Sequence, residues 1–218
     1  MSNHYYRTYQ ENCEELEKLM EQFRPKSDSQ DKTSKKGRIQ APKKLRGALA
    51  VELLRREIDA QLKKMGKPLK TSGMNVYIAG SDYEYDLLIV KKDAEPFMGL
   101  VYRPEEVAAD IECKAGGLFD LEKDTDNIAR AANAATAINP GIRFGYLTIS
   151  ENVPVNDTNR NGGATVKHWN QTQELLEKKL EGGGIFYAVT LHQGKTVSES
   201  DDDKFEDFVE YLVDDKEN

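Results

Sequence analysis

Three side chains in this sequence have the types and spacing to act on a phosphate ester. Asp86 lies in EYDLLIV, and Glu112 and Lys114 lie in VAADIECK. Read as a strand, residues 107–114 alternate between two faces. Val107, Ala109, Ile111 and Cys113 make one face apolar, whereas Asp110, Glu112 and Lys114 crowd charge onto the other beside Ala108. A strand covered on one side carries that much charge on its second side only where the side meets solvent or a ligand. Asp86 enters an otherwise apolar segment, where an unpaired carboxylate is costly to bury. If the two segments are antiparallel neighbours, Asp86 falls beside Glu112. Two carboxylates a few ångströms apart form a hard-oxygen site suited to Mg2+ or Mn2+. An ammonium two residues beyond Glu112 points the same way, placed to hold or help deprotonate a water and to balance charge developing on phosphorus. Acid, acid and lysine around a divalent cation is a set of groups for hydrolysing a phosphodiester.

The elements that must position these groups follow from periodicity and breakers. Residues 5–23 have helical spacing (Leu16, Leu19, Met20, Phe23), and Pro25 ends that helix. Residues 25–42, rich in Ser, Lys and Asp without period, predict a mobile basic loop. A second helix is expected over 43–65, opened after Pro42 and stopped by Gly66 and Pro68. The period then changes to that of strands: 74–79 (MNVYIA), 85–90 (YDLLIV, apolar on both faces and so central) and 107–114, with 91–105 as a wide hairpin connection. A helix over 126–138 buries Ile128, Ala131, Ala132, Ala135 and Ile138, with Asp124, Thr125 and Asp126 offering caps. A strand at 142–150, a polar loop at 151–165, a helix at 167–181, a strand at 185–192 and a short helix at 203–213 complete the chain. The fold class is α/β, a mixed sheet flanked by helices. The expected organisation is an N-terminal helix and basic loop over 1–42, a main domain over 43–194, and an acidic C-terminal tail with a short helix over 195–218.

Composition narrows the function classes. No apolar run is long enough to cross a bilayer, the first residues lack the apolar core of a signal peptide, and Cys13 and Cys113 form neither a disulfide framework nor a CxxC metal site. A reducing cytoplasmic setting fits these features. The net charge of −7 hides an asymmetry: residues 24–70 hold 15 Lys/Arg against 5 Asp/Glu, and residues 195–218 hold 3 Lys against 10 Asp/Glu. A basic block on an acidic chain suits a polyanion contact or a solvated lysine-rich linker.

Asp86, a hairpin-length gap, then Glu112-Cys113-Lys114 resembles the PD-(D/E)xK nuclease superfamily, with its restriction-endonuclease-like fold. The resemblance covers roughly residues 43–150 and implies an αβββαβ core. Tyr85 stands where the motif's proline would be. The resemblance implies that Asp86 and Glu112 bind the metal and that Lys114 is catalytic. It also makes Glu52, on the first core helix with Leu45, Ala48 and Leu49, a further candidate catalytic acid. Glu52 equally suits an ion pair with Arg55 or Arg56. The function implied is an Mg2+- or Mn2+-dependent endonuclease cutting DNA, in a restriction or defence system. The alternative is a catalytically inactive nuclease-fold protein serving as a nucleic-acid-binding or assembly subunit.

Lys43, Lys44, Arg46, Arg55 and Arg56 are the candidate phosphate contacts, or else ordinary helix surface. Asp110 reads as an acid behind the metal ligands or as the mouth of the site, Cys113 as core packing, and His168-Trp169 as an interface pair or as a pair that stacks on a base or supports the site. The expected partners are DNA and a second copy or partner subunit, with no membrane.

Overall fold

The computed structural model describes residues 32–114, 121–148, 169–188 and 200–214, together with positions 15, 18, 153–154 and 165–166. In chain order its elements are α1 (Lys32–Lys64), β1 (Leu69–Thr71), β2 (Val76–Ile78), β3 (Glu84–Tyr85), β4 (Leu87–Lys91), β5 (Val101–Tyr102), a 3-10 turn (Pro104–Glu106), β6 (Val107–Lys114), α2 (Leu121–Ile138), β7 (Arg143–Thr148), β8 (Val153–Pro154), β9 (Thr165–Val166), α3 (Trp169–Lys179), β10 (Ile185–Ala188) and α4 (Ser200–Val213).

The main sheet runs β1-β4-β6-β7-β10. β1 and β6 each lie antiparallel to β4, whereas β6 and β7, and β7 and β10, are parallel. The parallel pairs need crossovers, and α2 and α3 supply them. From α1 to β7 the main-sheet order is helix, three strands, helix, strand, the αβββαβ order expected from the sequence. β6 sits at the middle because both faces of its neighbours can be covered. In β4, Leu87 to Val90 are all fully buried, as expected for a run apolar at every position.

The two faces of the sheet feed different cores. On one side Leu87, Ile89, Ala109, Ile111 and Cys113 meet Leu54, Ile58 and Leu62 of α1 and Phe205, Phe208 and Leu212 of α4. On the other, Leu88 and Val90 meet the small sheet β3-β2-β5, and Phe144 and Tyr146 meet α2 and α3. Gly145 is what lets α4 lie so close. A Cβ there would stand 2.9 Å from Phe208 Cζ and within 3.1–3.2 Å of both Leu212 methyls.

Several elements differ from expectation. The expected loop at 25–42 is helical from Lys32 onward, so α1 passes straight through Pro42. The proline costs one main-chain bond, to the Arg38 carbonyl, and a 33-residue helix absorbs that loss. The strand expected at 74–79 forms, but in the small sheet. The main sheet's edge is β1, three residues long. The loop at 151–165 contains β8 and pairs it with β9. The helix in the acidic tail is part of the main core, Asp207 and Glu210 outward and Phe205, Phe208, Val209 and Leu212 inward, because apolar residues at i, i+3, i+4 and i+7 form one stripe. Of the helix expected at 5–23 only Glu15 and Lys18 are described, both helical; the rest of it, His168 and the Trp169 side chain lie outside the described residues. Among the described residues, no helix is long and apolar enough to cross a membrane.

Candidate active site

The register between β4 and β6 pairs Leu87 with Ile111 and Leu88 with Asp110. One step further, Asp86 stands across from Glu112. A hydrogen bond fixes the pairing: the Cys113 backbone N–H donates to Asp86 Oδ2 at 2.9 Å. The Asp86 carbonyl in turn accepts the Asn75 N–H at 3.3 Å, which ties the main sheet to the small one at this point. Strand parity puts Lys114 on the same face as Glu112, and its ammonium donates to Glu112 Oε1. The Glu112 side chain is 19% exposed and that of Lys114 34%, so the pair lies at the rim of the core with one side open.

Electrostatics follow from that placement. Burial pushes the Glu112 carboxyl above the usual carboxylate range, the Asp86 charge pushes it further, and Lys114 opposes both. Burial works against the Lys114 charge, yet Glu112 and Asp86 outweigh it and hold the ammonium above its ordinary range. Behind them Cys113 is core, as its parity implied. It is 6% exposed, and burial raises its thiol well above the ordinary value.

Three neighbours complete the site. Tyr146 of β7 is level with Glu112 and fully buried. Burial first, then Glu112 and Asp124, raise its hydroxyl. Asp124, in the first turn of α2, is the acid that sequence reasoning missed, reading it only as a cap. The available signal was its position just after the strand that carries Glu112 and Lys114. Asp110 is not at a mouth. It is 3% exposed, level with Leu88 on one side and Phe144 on the other. Burial raises it to about 8, its own backbone N–H opposing and the Glu112 charge adding. Its Oδ1 meets no hydrogen-bond partner among the described residues.

The remaining candidates lie on α1. Glu52 accepts Arg55 Nε at 2.7 Å and Nη2 at 3.0 Å, and Arg56 Nε at 2.8 Å. Arg55 bonding holds its carboxyl down to about 2, with burial opposing and Arg56 adding. Arg55 also donates to Asp59 Oδ2 at 3.1 Å, and Asp59 Oδ1 accepts the Thr71 N–H at 2.8 Å. Glu52 therefore belongs to a network that pins α1 to β1, and its described partners are these arginines. Arg55 is committed to that network, whereas the Arg56 side chain is 67% exposed. Lys43, Lys44 and Arg46 lie on the α1 backbone ahead of Glu52, their side chains outside the described part.

Among the described residues, no three His, Cys, Asp or Glu side chains gather to hold a metal. The donor set is thus two carboxylates with solvent access. Mg2+ suits that set, because it keeps several waters and takes only one or two carboxylates. The mutual repulsion of Asp86 and Glu112 is what such a cation relieves.

No family model matches the chain, and no curated protein does. Among solved structures, NucC of E. coli MS115-1 in its cAAA-bound form is similar over 87% of this chain and 75% of its own, with 12% sequence identity and a TM-score of 0.48.

Proposed function

We propose that this chain is an Mg2+-dependent endonuclease that hydrolyses DNA phosphodiester bonds, with Asp86 and Glu112 as metal ligands and Lys114 as the catalytic cation. The observation that carries the proposal is the β4/β6 register, which sets Asp86 beside Glu112 on the face that also bears Lys114. The motif resemblance adds DNA as the substrate and a restriction or defence setting.

When bound, the metal supplies a Lewis acid for the phosphoryl oxygen and lowers the pKa of a coordinated water. The chain's own groups do the rest. The Cys113 N–H fixes the orientation of the Asp86 carboxylate before metal arrives. Lys114, held charged by Glu112 and Asp86, donates to the attacking water and to the phosphorane oxygen on which negative charge grows. The apolar packing of Ile111 and Cys113 on α1 and α4 keeps β6 rigid. Arg56, Lys43, Lys44 and Arg46 contact backbone phosphates along α1. Cutting both strands needs a second active centre, so the working unit is a homodimer or a pair with a partner subunit.

The test is cleavage of supercoiled plasmid. Wild type nicks or linearises it with Mg2+ and not with EDTA. Lys114→Ala and Asp86→Ala fall by about 100-fold or more. Equal cutting by the variants would refute the assignment. Divalent-ion titration by calorimetry separates the two classes: a protein that binds DNA but no Mg2+ or Mn2+ is a binding or assembly subunit.

A further inference from the structure

Among the described residues, the exposed large apolar side chains are four: Phe97 (74%), Met98 (80%), Leu100 (47%) and Met74 (37%). Three lie in the tight knot between β4 and β5, closed by Phe97 N–H to the Val101 carbonyl (2.9 Å), Gly99 N–H to the Pro96 carbonyl (3.1 Å) and Leu100 N–H to the Phe97 carbonyl (3.0 Å). Met98 is held at φ +53°, a left-handed conformation that a long side chain rarely adopts. Strain of that kind persists where surrounding bonds impose it, and it gathers at functional sites.

The knot is anchored beside the candidate active site. The Tyr77 N–H donates to the Leu100 carbonyl at 2.9 Å, and β2 pairs with β5 at Tyr77 and Val101. Asn75 is the residue whose N–H binds the Asp86 carbonyl. Leu100 and Asp86 thus bond β2 two residues apart, at Tyr77 and Asn75, and two strand spacings with that offset put their backbones about 12 Å apart. Along a duplex that distance is about three to four base pairs.

The chemistry of the knot selects what it touches. Residues 97–100, Phe-Met-Gly-Leu, bear no charge, so they offer nothing to a phosphate. They offer apolar surface on side chains that project from the fold. Projecting Phe, Met and Leu side chains suit the faces of bases, against which they wedge or stack. We propose that the Phe97–Leu100 knot is a base-contacting element that inserts against the bases of the nucleic-acid substrate a few base pairs from the bond cut. This inference rests on the function proposed above.

The test uses DNA duplexes carrying 2-aminopurine at successive positions, titrated with Lys114→Ala and with Lys114→Ala combined with Phe97→Ser and Met98→Asn. Both added substitutions are at exposed side chains, and Asn tolerates the left-handed backbone at 98. The expected result is a rise in 2-aminopurine fluorescence at some positions with Lys114→Ala. The triple variant gives no rise and binds more weakly by on the order of tenfold. The slope of log Kd against log salt stays unchanged, because no phosphate contact is lost. Equal affinity and equal fluorescence overturn the proposal. Conversion of a dimer to monomer by the knot substitutions, seen by sedimentation, overturns it too and assigns the patch to a second copy. If wild type cuts and Phe97→Ser with Met98→Asn cuts equally well with the same affinity, the knot reading fails and the active-site reading stands. If wild type neither binds nor cuts any duplex, both fail.

Discussion

Replacing Asp110 with Asn should make the protein more stable, and increasingly so as pH rises. Asp110 lies between Leu88 and Phe144 with 3% exposure, and burial pushes its carboxyl from the ordinary 3.8 up to about 8. Between those two values the folded state holds a proton that the unfolded state has released, so stability falls as pH rises through the window. Each unit is worth about 1.4 kcal/mol, giving a penalty of about 4 kcal/mol at pH 7 and about 6 kcal/mol above pH 8. An amide of the same shape does not titrate and escapes the penalty. It does bring N–H donors to a place where Oδ1 already meets no partner, at a cost of about 1–3 kcal/mol. The net expectation for Asp110→Asn is about zero near pH 5, a gain of about 1–3 kcal/mol at pH 7, and about 3–5 kcal/mol at pH 8.5. Urea unfolding followed by circular dichroism at those three pH values measures it. Parallel wild-type and variant curves across the range, or a variant that loses ground as pH rises, would refute the reasoning.

Further predictions concern the metal, the core and α1. Mg2+ at about 100 times its Kd should stabilise wild type by about 3 kcal/mol, a rise of several degrees in Tm. Asp86→Asn should show no such response and, in EDTA, should melt above wild type because one charge beside Glu112 is gone. A metal-dependent rise retained in Asp86→Asn would place the ion elsewhere. Gly145→Ala should cost about 1–3 kcal/mol in urea unfolding, since its methyl would strike Phe208 and Leu212; wild-type stability there would mean that α4 does not dock as described. Glu52→Gln should cost about 1 kcal/mol at pH 7. Because the folded Glu52 carboxyl sits near 2, below its unfolded value, that contribution is present above about pH 4.5 and lost as pH falls toward 2. Cleavage by Glu52→Gln should stay within a few-fold of wild type, whereas a 100-fold loss would make Glu52 part of the chemistry.

The Asp86–Glu112 pair was legible because face parity is a local property and the apolar run at 87–90 marks a central strand. Lys114 followed from the same parity. What stayed hidden depended on tertiary partners. β1 is only Leu-Lys-Thr, too short to show a period, and it exists because β4 offers an edge. The strand within MNVYIA was readable, but which sheet it joins is decided by β3 and β5. The helical stretch from Lys32 to Pro42 carries no apolar stripe, so nothing local marked it. In α4 the acids dominated the composition and masked a four-residue apolar stripe. Asp110 shared its face with Glu112, and only the packing of Phe144 and Leu88 beside it reveals that it is sealed off.

The joint core of α1 and α4 sets a timetable for synthesis. Leu54 and Ile58 share a cluster with Phe208 and Leu212, residues about 150 positions later in the chain. Until the later segment leaves the ribosome, the β4 and β6 face that backs Asp86 and Glu112 is only half covered. Contacts of such high sequence separation form late and slowly. The nascent chain therefore emerges with its acids made but their backing unfinished, and β6 gains its full support only once residues 205–212 have emerged and docked.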